Sequence, residues 1–173
     1  PLIVGAALSA KTLGTDRVGV SFTGDGGSNQ GTTFEAMNLA VVLQVPAIFL
    51  FENNGYGEGT AAGYAVGSKD IASRAAAFGM PALKVDGADI FAVYDTCQKA
   101  VKHCRAGKGP ITIEASITRF RGHFEGDAQA YRGKDEVKRL MRDLDCLKIA
   151  SDNAIKKKLV TKAQLSKIDE EVA

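Results

Sequence analysis

Short apolar runs alternate with longer segments of mixed polarity over the first two-thirds of the chain. Four of these runs have the length and the β-branched or aromatic content of strands, at residues 17–23, 47–52, 83–85 and 110–117. Segments of helical length precede and separate them, at residues 2–13, 32–45, 70–78 and 90–105. This alternation predicts an α/β fold with a doubly wound, mostly parallel sheet.

The last part of the chain has a different pattern. Capping and helix-forming residues dominate after residue 133 and predict helices at residues 134–144, 146–158 and 161–172. The preceding segment, residues 119–133, has glycines, alternating charges and no periodicity, which indicates a mobile surface loop. We therefore expect an α/β domain over residues 1–133 and a helical C-terminal extension of the same domain over residues 134–173.

The composition is that of a single globular domain. A chain of 173 residues with 45% hydrophobic residues is long enough to bury a substantial core. A net charge of +2 gives no support for a general nucleic-acid or membrane-surface partner. The apolar runs are far shorter than the roughly 20 residues that a membrane helix needs, and no leader pattern is visible. We expect a cytoplasmic protein that binds neither nucleic acid nor membrane.

The most informative pattern is a glycine-rich segment that follows the first strand. Residues 24–31 read Gly-Asp-Gly-Gly-Ser-Asn-Gln-Gly, and Asn54 follows the second strand. Parallel strands joined by a helix end at the same edge of a sheet, where ligands of open α/β sheets bind, so Asp25 and Asn54 are predicted to meet there. Gly26 and Gly27 leave their backbone N–H groups accessible to a phosphate at the positive end of the next helix. The sequence thus predicts an anion-binding loop.

Oxygen ligands at this edge of the sheet indicate magnesium. Magnesium prefers about six oxygens, shared among a carboxylate, substrate phosphates and water. Asp25 supplies the charge, Asn54 a neutral oxygen and a carbonyl of the turn at residues 55–57 a third ligand, while no nearby Cys or His suggests zinc. Each motif alone is more often a simple turn, since Asn-Gly pairs favour positive φ. Their spacing after two successive strands favours the metal site.

Further motifs occur in the same order as in one known family. They are Phe-Glu-Ala at residues 34–36, Glu-Asn-Asn-Gly-Tyr-Gly at 52–57, Val-Asp-Gly at 85–87, Gly-Lys-Gly-Pro at 107–110 and Arg-Gly-His at 121–123. With the glycine-rich segment at residues 24–31, they extend over nearly the whole chain. The sequence resembles the α subunits of thiamine-diphosphate-dependent 2-oxo acid and acetoin dehydrogenases. This resemblance implies a sheet of the thiamine-diphosphate-binding type.

The resemblance implies thiamine diphosphate and magnesium as cofactors and gives roles to individual residues. The magnesium ligands would be the Asp25 carboxylate, the Asn54 side chain and the backbone oxygen of Tyr56. Gly26 and Gly27 would bind the diphosphate.

His123 matches the active-site histidine of the same family. It lies on the predicted loop at residues 119–133, which in the family orders over the cofactor. The resemblance implies that this histidine binds the cofactor and helps with proton transfer, or positions substrate and diphosphate. Considered alone, His123 would be interpreted as a surface residue.

Residues 122–132 are more similar to acetoin dehydrogenase α subunits than to pyruvate ones. The resemblance therefore implies an oxidoreductase that cleaves acetoin, a small-molecule substrate, and passes a two-carbon unit to a lipoyl acyltransferase. It also implies a heterotetramer with a β subunit, which supplies the glutamate that activates the cofactor.

Three alternatives stay open on the sequence: a pyruvate dehydrogenase α subunit, a branched-chain 2-oxo acid dehydrogenase α subunit, or a non-catalytic assembly module. The family's N-terminal part has no counterpart in the sequence, so we expect a fragment that does not complete a catalytic cycle alone.

Overall fold

A sheet of four parallel strands lies at the centre of the protein, whose residues 1–172 are described by a computed structural model. In chain order, the elements are α1 (Leu2–Thr12), β1 (Gly19–Gly24), α2 (Gly31–Leu43), β2 (Ala47–Asn53), β3 (Tyr56–Gly57), β4 (Thr60–Ala61), α3 (Ala62–Ala65), α4 (Ala72–Ala76), β5 (Ala82–Asp86), α5 (Ile90–Arg105), β6 (Ile111–Ser116), α6 (Glu136–Asp143), α7 (Cys146–Lys156) and α8 (Lys162–Val172). The sheet has the strand order β1-β2-β6-β5, and β3 pairs with β4 as a short antiparallel ribbon.

Helices cover both faces of this sheet. The chain advances from β1 through β2 to β5 and then returns to place β6 between β2 and β5. Because parallel crossovers are right-handed, the advancing and returning connections lie on opposite faces. Residues of α1, α2 and α4 accordingly share one apolar cluster, whereas α5 packs in the other. The predicted doubly wound, parallel α/β fold is confirmed.

Burial differs between the central and the edge strands. From Ile111 to Ala115 every residue of the central strand β6 is buried, whereas β1 and β5 at the edges alternate between less and more exposed positions. In the other central strand, Ile48 packs in the cluster on the α5 face, while Phe49 and Phe51 pack on the opposite face. The apolar runs that predicted strands therefore reflect burial on both faces of the sheet.

The predicted strands and the longer helices are present, with ends that differ by a few residues. The helix α2 ends at Leu43 rather than at residue 45, because Gln44 adopts a left-handed conformation with φ of 48°. Between the second predicted strand and the helix predicted at residues 70–78, the structure has three further short elements, β3, β4 and α3, that were not predicted. Elements of two to four residues are too short to show a hydrophobic period.

The C-terminal helices α6, α7 and α8 lie on the surface, and none of them has a buried residue. Their division from the α/β part at residue 133 stays a prediction. Over residues 1–172, no helix combines the length and the apolar character needed to cross a membrane.

Candidate magnesium and diphosphate site

The parallel register of the sheet brings two polar turns to the same edge. Gly24, the last residue of β1, pairs with Glu52 of β2, so the strands end within two residues of each other. Asp25 directly follows β1, and Asn54 directly follows β2. The fold therefore brings these two predicted ligands to adjacent strand ends.

Asp25 is a buried carboxylate, with 2% of its surface exposed. Burial raises the pKa of Asp25, and hydrogen bonds from the backbone N–H groups of Asp25 and Asn54 oppose this effect, as does the positive charge of Arg119. The ion pairs formed within residues 1–172 do not include Asp25. A buried carboxylate without a paired cation is costly, so this position favours the binding of a cation.

Gly26 and Gly57 bring the two turns into backbone contact. A Cβ atom added to Gly57 would lie 2.9 Å from the Cα atom of Gly26 and 3.8 Å from Oδ2 of Asp25. A Cβ atom on Gly26 would in turn lie 3.1 Å from the Cα atom of Gly57. Side chains at either position would push the turns apart, which is why glycine is needed at both.

Gly27 lies close to the strand that precedes it. It begins a single turn of 3₁₀ helix, Gly27–Asn29, and a Cβ atom on Gly27 would lie 3.0 Å from Cγ2 of Thr23. The loop therefore presents its backbone rather than side chains at this point, in front of the amino end of α2.

Asn54 and Tyr56 belong to one turn. Oδ1 of Asn54 accepts a hydrogen bond from the backbone N–H of Tyr56 at 3.0 Å. An amide oxygen has two lone pairs, so this bond leaves one lone pair of Asn54 for another partner. The Tyr56 side chain points to the C-terminal extension, where its Oη donates to Oε2 of Glu136 at 3.2 Å. The turn interpretation and the ligand interpretation of Asn54 are thus compatible.

Arg74 and Ser28, which the sequence analysis did not single out, support the loop around Asp25. Ser28 is buried, and its hydroxyl donates to the backbone oxygen of Asp25 at 2.6 Å. The guanidinium of Arg74 donates to the backbone oxygen of Ser28 at 2.9 Å and to Oδ1 of Asn29 at 2.7 Å. Arg74 lies in the short helix α4, distant in sequence from this loop, so no local pattern could have shown the contact.

His123 lies on the loop that follows β6 and is exposed. The cavity beside it is lined by residues 120–127, Gln129 and Met141, and its lining does not include Asp25, Asn54 or Tyr56. The structure therefore brings Asp25, Gly26, Asn54 and Tyr56 to one edge of the sheet, whereas His123 lines a separate cavity.

The loop at residues 119–133 is connected to the Asn54 turn through Tyr131. The backbone N–H of His123 and the hydroxyl of Tyr131 both donate to Oδ2 of Asp127, at 2.8 and 2.6 Å. The Tyr131 ring packs on the Tyr56 ring with 5.3 Å between their centroids. The hydrogen bond from Tyr131, with those from the N–H groups of His123 and Gln129, lowers the pKa of Asp127 to about 2. Asp127 is thus an ionised anchor for the loop.

The donors at the site fit magnesium better than zinc. Among residues 1–172, no three His, Cys, Asp or Glu side chains lie close enough to hold a metal ion together. The predicted set has one carboxylate, one amide oxygen and one backbone carbonyl, and magnesium takes such oxygen ligands alongside phosphate and water.

Comparison with known proteins identifies several relatives of this chain. The family model described as Dehydrogenase E1 component matches residues 1–173. The subunit alpha of acetoin:2,6-dichlorophenolindophenol oxidoreductase from Cupriavidus necator is 46% identical over 173 residues, which is all of this chain and 52% of that protein. Its counterpart from Bacillus subtilis is 49% identical over 146 residues, 84% of this chain and 44% of that protein.

A pyruvate dehydrogenase E1 component subunit alpha from Rhizobium meliloti is 39% identical over 168 residues, covering 97% of this chain and 48% of that protein. This chain spans about half the length of the curated relatives it matches. A solved structure from Mycobacterium smegmatis, described as a candidate thiamin diphosphate-dependent enzyme, has a TM-score of 0.53 at 25% identity and covers 68% of this chain and 21% of that one. Since the family model matches the chain from end to end, this protein belongs to the dehydrogenase E1 component family.

Proposed function

We propose that this chain is the magnesium- and diphosphate-binding part of the α subunit of a thiamine-diphosphate-dependent dehydrogenase, an oxidoreductase. The observation that carries the proposal is the buried Asp25 carboxylate, which lies against the Asn54 turn without an ion-pair partner within residues 1–172. The contact between Gly26 and Gly57 supports it, because it holds the two turns at the edge where ligands bind.

The residues present fit the cofactor. The Asp25 carboxylate, the second lone pair of Asn54 and the Tyr56 carbonyl would hold magnesium, and the backbone at Gly26 and Gly27 would bind the diphosphate. Bound thiamine diphosphate would supply a nucleophilic carbon and an electron sink for cleavage of a carbon–carbon bond next to a carbonyl. The protein's contribution at this site is charge neutralisation and orientation.

His123 is the proposed catalytic residue of this chain. His123 lies exposed on a polar loop, and this loop contacts the Asn54 turn through Tyr131 and Tyr56. Through these contacts the loop would be held near the Asn54 turn, with His123 over the cofactor and substrate. The proposed role is proton transfer, or the positioning of substrate and diphosphate.

Acetoin is the proposed substrate. The similarity to acetoin dehydrogenase α subunits in residues 122–132 supports this choice, and so does the higher identity to the two acetoin oxidoreductase subunits than to the pyruvate dehydrogenase subunit. The same comparison supports pyruvate as the second candidate substrate, because the pyruvate dehydrogenase subunit from Rhizobium meliloti matches 97% of this chain.

A β subunit is the proposed partner, in a heterotetramer, and a separate lipoyl acyltransferase would accept the two-carbon unit. The relatives described as subunit alpha support this partner, since a subunit of that name belongs to an assembly with another kind of subunit. The cytoplasmic location stays a prediction, and a non-catalytic assembly module is the alternative of another class.

Asp25→Asn should abolish most of the affinity for magnesium thiamine diphosphate, because the amide keeps the shape of the side chain but removes its charge. This loss of affinity should exceed the roughly 10- to 100-fold loss that is typical when a residue supporting a metal ligand is mutated. Titration calorimetry on the α and β subunits together would measure it, with the exposed Glu35→Gln as a control that should bind normally. If neither the unchanged protein nor Asp25→Asn gives heat, the assembly module is the better assignment.

Gly57→Ala should weaken the same binding, because its Cβ atom would press on the Gly26 backbone. Overpacking typically costs about 1–3 kcal/mol, which corresponds to roughly 5- to 150-fold in affinity. Gly63→Ala is the matched control, since a Cβ atom there meets nothing within 4 Å. Equal affinities for the two variants would contradict the proposed contact between the turns.

His123→Gln should lower kcat by roughly 10²- to 10⁴-fold if this histidine transfers a proton, with a small effect on cofactor affinity. A positioning role would lower kcat and affinity together. Steady-state kinetics and cofactor titration of the assembled enzyme separate these results, with Glu125→Gln on the same exposed loop as the control. Unchanged kcat and unchanged affinity would remove His123 from the site.

The assembled enzyme should have a higher kcat/KM for acetoin than for pyruvate or a branched-chain 2-oxo acid. Turnover with each compound, in the presence of the lipoyl acyltransferase, measures the preference. A higher kcat/KM for one of the oxo acids would assign the protein to the corresponding 2-oxo acid dehydrogenase.

A further inference from the structure

Glu114 is an acidic residue in the middle of a buried strand. It lies on β6 between Ile113 and Ala115, and only 4% of its surface is exposed. In the sheet it pairs with Phe51 on one side and Lys84 on the other. Lys84 pairs with a different acid, Asp70, so no ion pair within residues 1–172 explains the burial of Glu114.

Three N–H groups donate to the Glu114 carboxylate. Oε1 accepts a hydrogen bond from Nδ2 of Asn53 at 2.8 Å. Oε2 accepts from the backbone N–H groups of Ile71 and Ala72, at 3.0 and 2.9 Å. Hydrogen bonds to the charged form are what allow a carboxylate to be buried, and this residue is well supplied with them.

The first of these contacts leads to the Asn54 turn. Asn53 is the last residue of β2, and its Oδ1 accepts the backbone N–H of Gly55 at 3.2 Å. The Asn53 side chain is therefore held at both ends, by Glu114 below the turn and by the backbone of the turn itself. Asn54, one of the predicted ligands, is the next residue.

The other two contacts lead to the loop around Asp25. Ile71 and Ala72 precede Arg74 in the same segment, and Arg74 donates to the backbone oxygen and hydroxyl of Ser28. Ser28 in turn donates to the backbone oxygen of Asp25. A single side chain on β6 is thus connected to both turns of the candidate site, directly through Asn53 and indirectly through the segment that carries Arg74.

We infer that Glu114 is a positioning residue, which fixes the Asn54 turn and the Asp25 loop relative to each other so that they bind one cation and its diphosphate. The inference rests on the proposed function of the site. Glu114 lies behind the two turns and is not itself a proposed ligand of the cation or of the diphosphate. A carboxylate suits this role better than an amide, because all three partners are donors and an amide would present its own N–H groups to one of them.

Exchanging the amide and the carboxylate tests the role. Glu114→Gln places an N–H₂ group against the N–H groups of Asn53 or of the α4 segment, and Asn53→Asp places two carboxylates together. Each variant should weaken the binding of magnesium thiamine diphosphate by roughly 10- to 100-fold, as for other residues behind metal ligands. The double variant restores one donor and one acceptor between positions 53 and 114, so it should recover most of the affinity.

Thr112→Val provides the matched control for a purely structural effect. Thr112 lies on the same strand and is fully buried. Its hydroxyl donates to Sδ of Met80, and this hydrogen bond involves neither turn of the site. It should lower the melting temperature without changing the affinity of the folded protein. An equal loss of affinity in Thr112→Val and Glu114→Gln would overturn the positioning role.

The measurements are calorimetric titration and amide hydrogen exchange on the full α subunit with its β subunit. Exchange at Ile71 and Ala72 should be faster in Glu114→Gln.

If the unchanged protein binds no cofactor, the proposed function itself fails. If the unchanged protein binds the cofactor and Asp25→Asn does not, the proposed function stands. Normal binding by Glu114→Gln, or a double variant that binds no better than the single ones, then overturns only the role of Glu114. If Glu114→Gln does not fold, normal binding by Asn53→Asp overturns it.

Discussion

The close approach of Gly26 and Gly57 brings the turns that follow β1 and β2 into contact at one edge of the sheet. This contact requires parallel strands that end in register and two residues without side chains. Given both, the Asp25 carboxylate is buried beside the Asn54 turn, where it meets backbone N–H groups instead of water. The burial raises the free energy of the charged form, and the proposed cation, shared with the Asn54 turn, would lower it again. The remaining features of the site support this arrangement.

The topology of the sheet provides the second constraint. Since β6 returns between β2 and β5, residues of a late strand lie directly beneath turns formed much earlier in the chain. Glu114 uses this position to contact both Asn53 and the segment that carries Arg74. The connection would not exist in a sheet whose strands followed one another in sequence. The doubly wound path thus allows one strand to orient two loops.

Most of the fold, and the position of Asp25 and Asn54 at adjacent strand ends, were predictable from the sequence, because each depends on local patterns. The apolar runs of β2 and β6 indicate buried strands, and the glycine-rich segment after β1 indicates a ligand at the strand ends. The contacts of Arg74 and Glu114 were not predictable, since they join residues more than forty positions apart. The one available signal was the acid itself, the single charged residue of this strand.

Tyr56 connects the site to the loop that carries His123. Its backbone N–H orders the Asn54 side chain, while its ring packs between Tyr131 and the guanidinium of Arg132, whose carbon lies 5.0 Å from the ring centroid. No residue from 119 to 133 is buried as a whole, although the Arg132 side chain is only 4% exposed and pairs with Glu136 at 3.2 Å. Polar, charged and aromatic contacts therefore hold this loop.

Asp127 and Arg132 form hydrogen bonds that involve a charged group. In general, such bonds contribute about 1.5–3 kcal/mol each, net. A loop held by a few such contacts opens more easily than the sheet beneath it. The rigid part of the site therefore lies on the strand ends, and the part that carries the proposed catalytic residue is the one held least tightly.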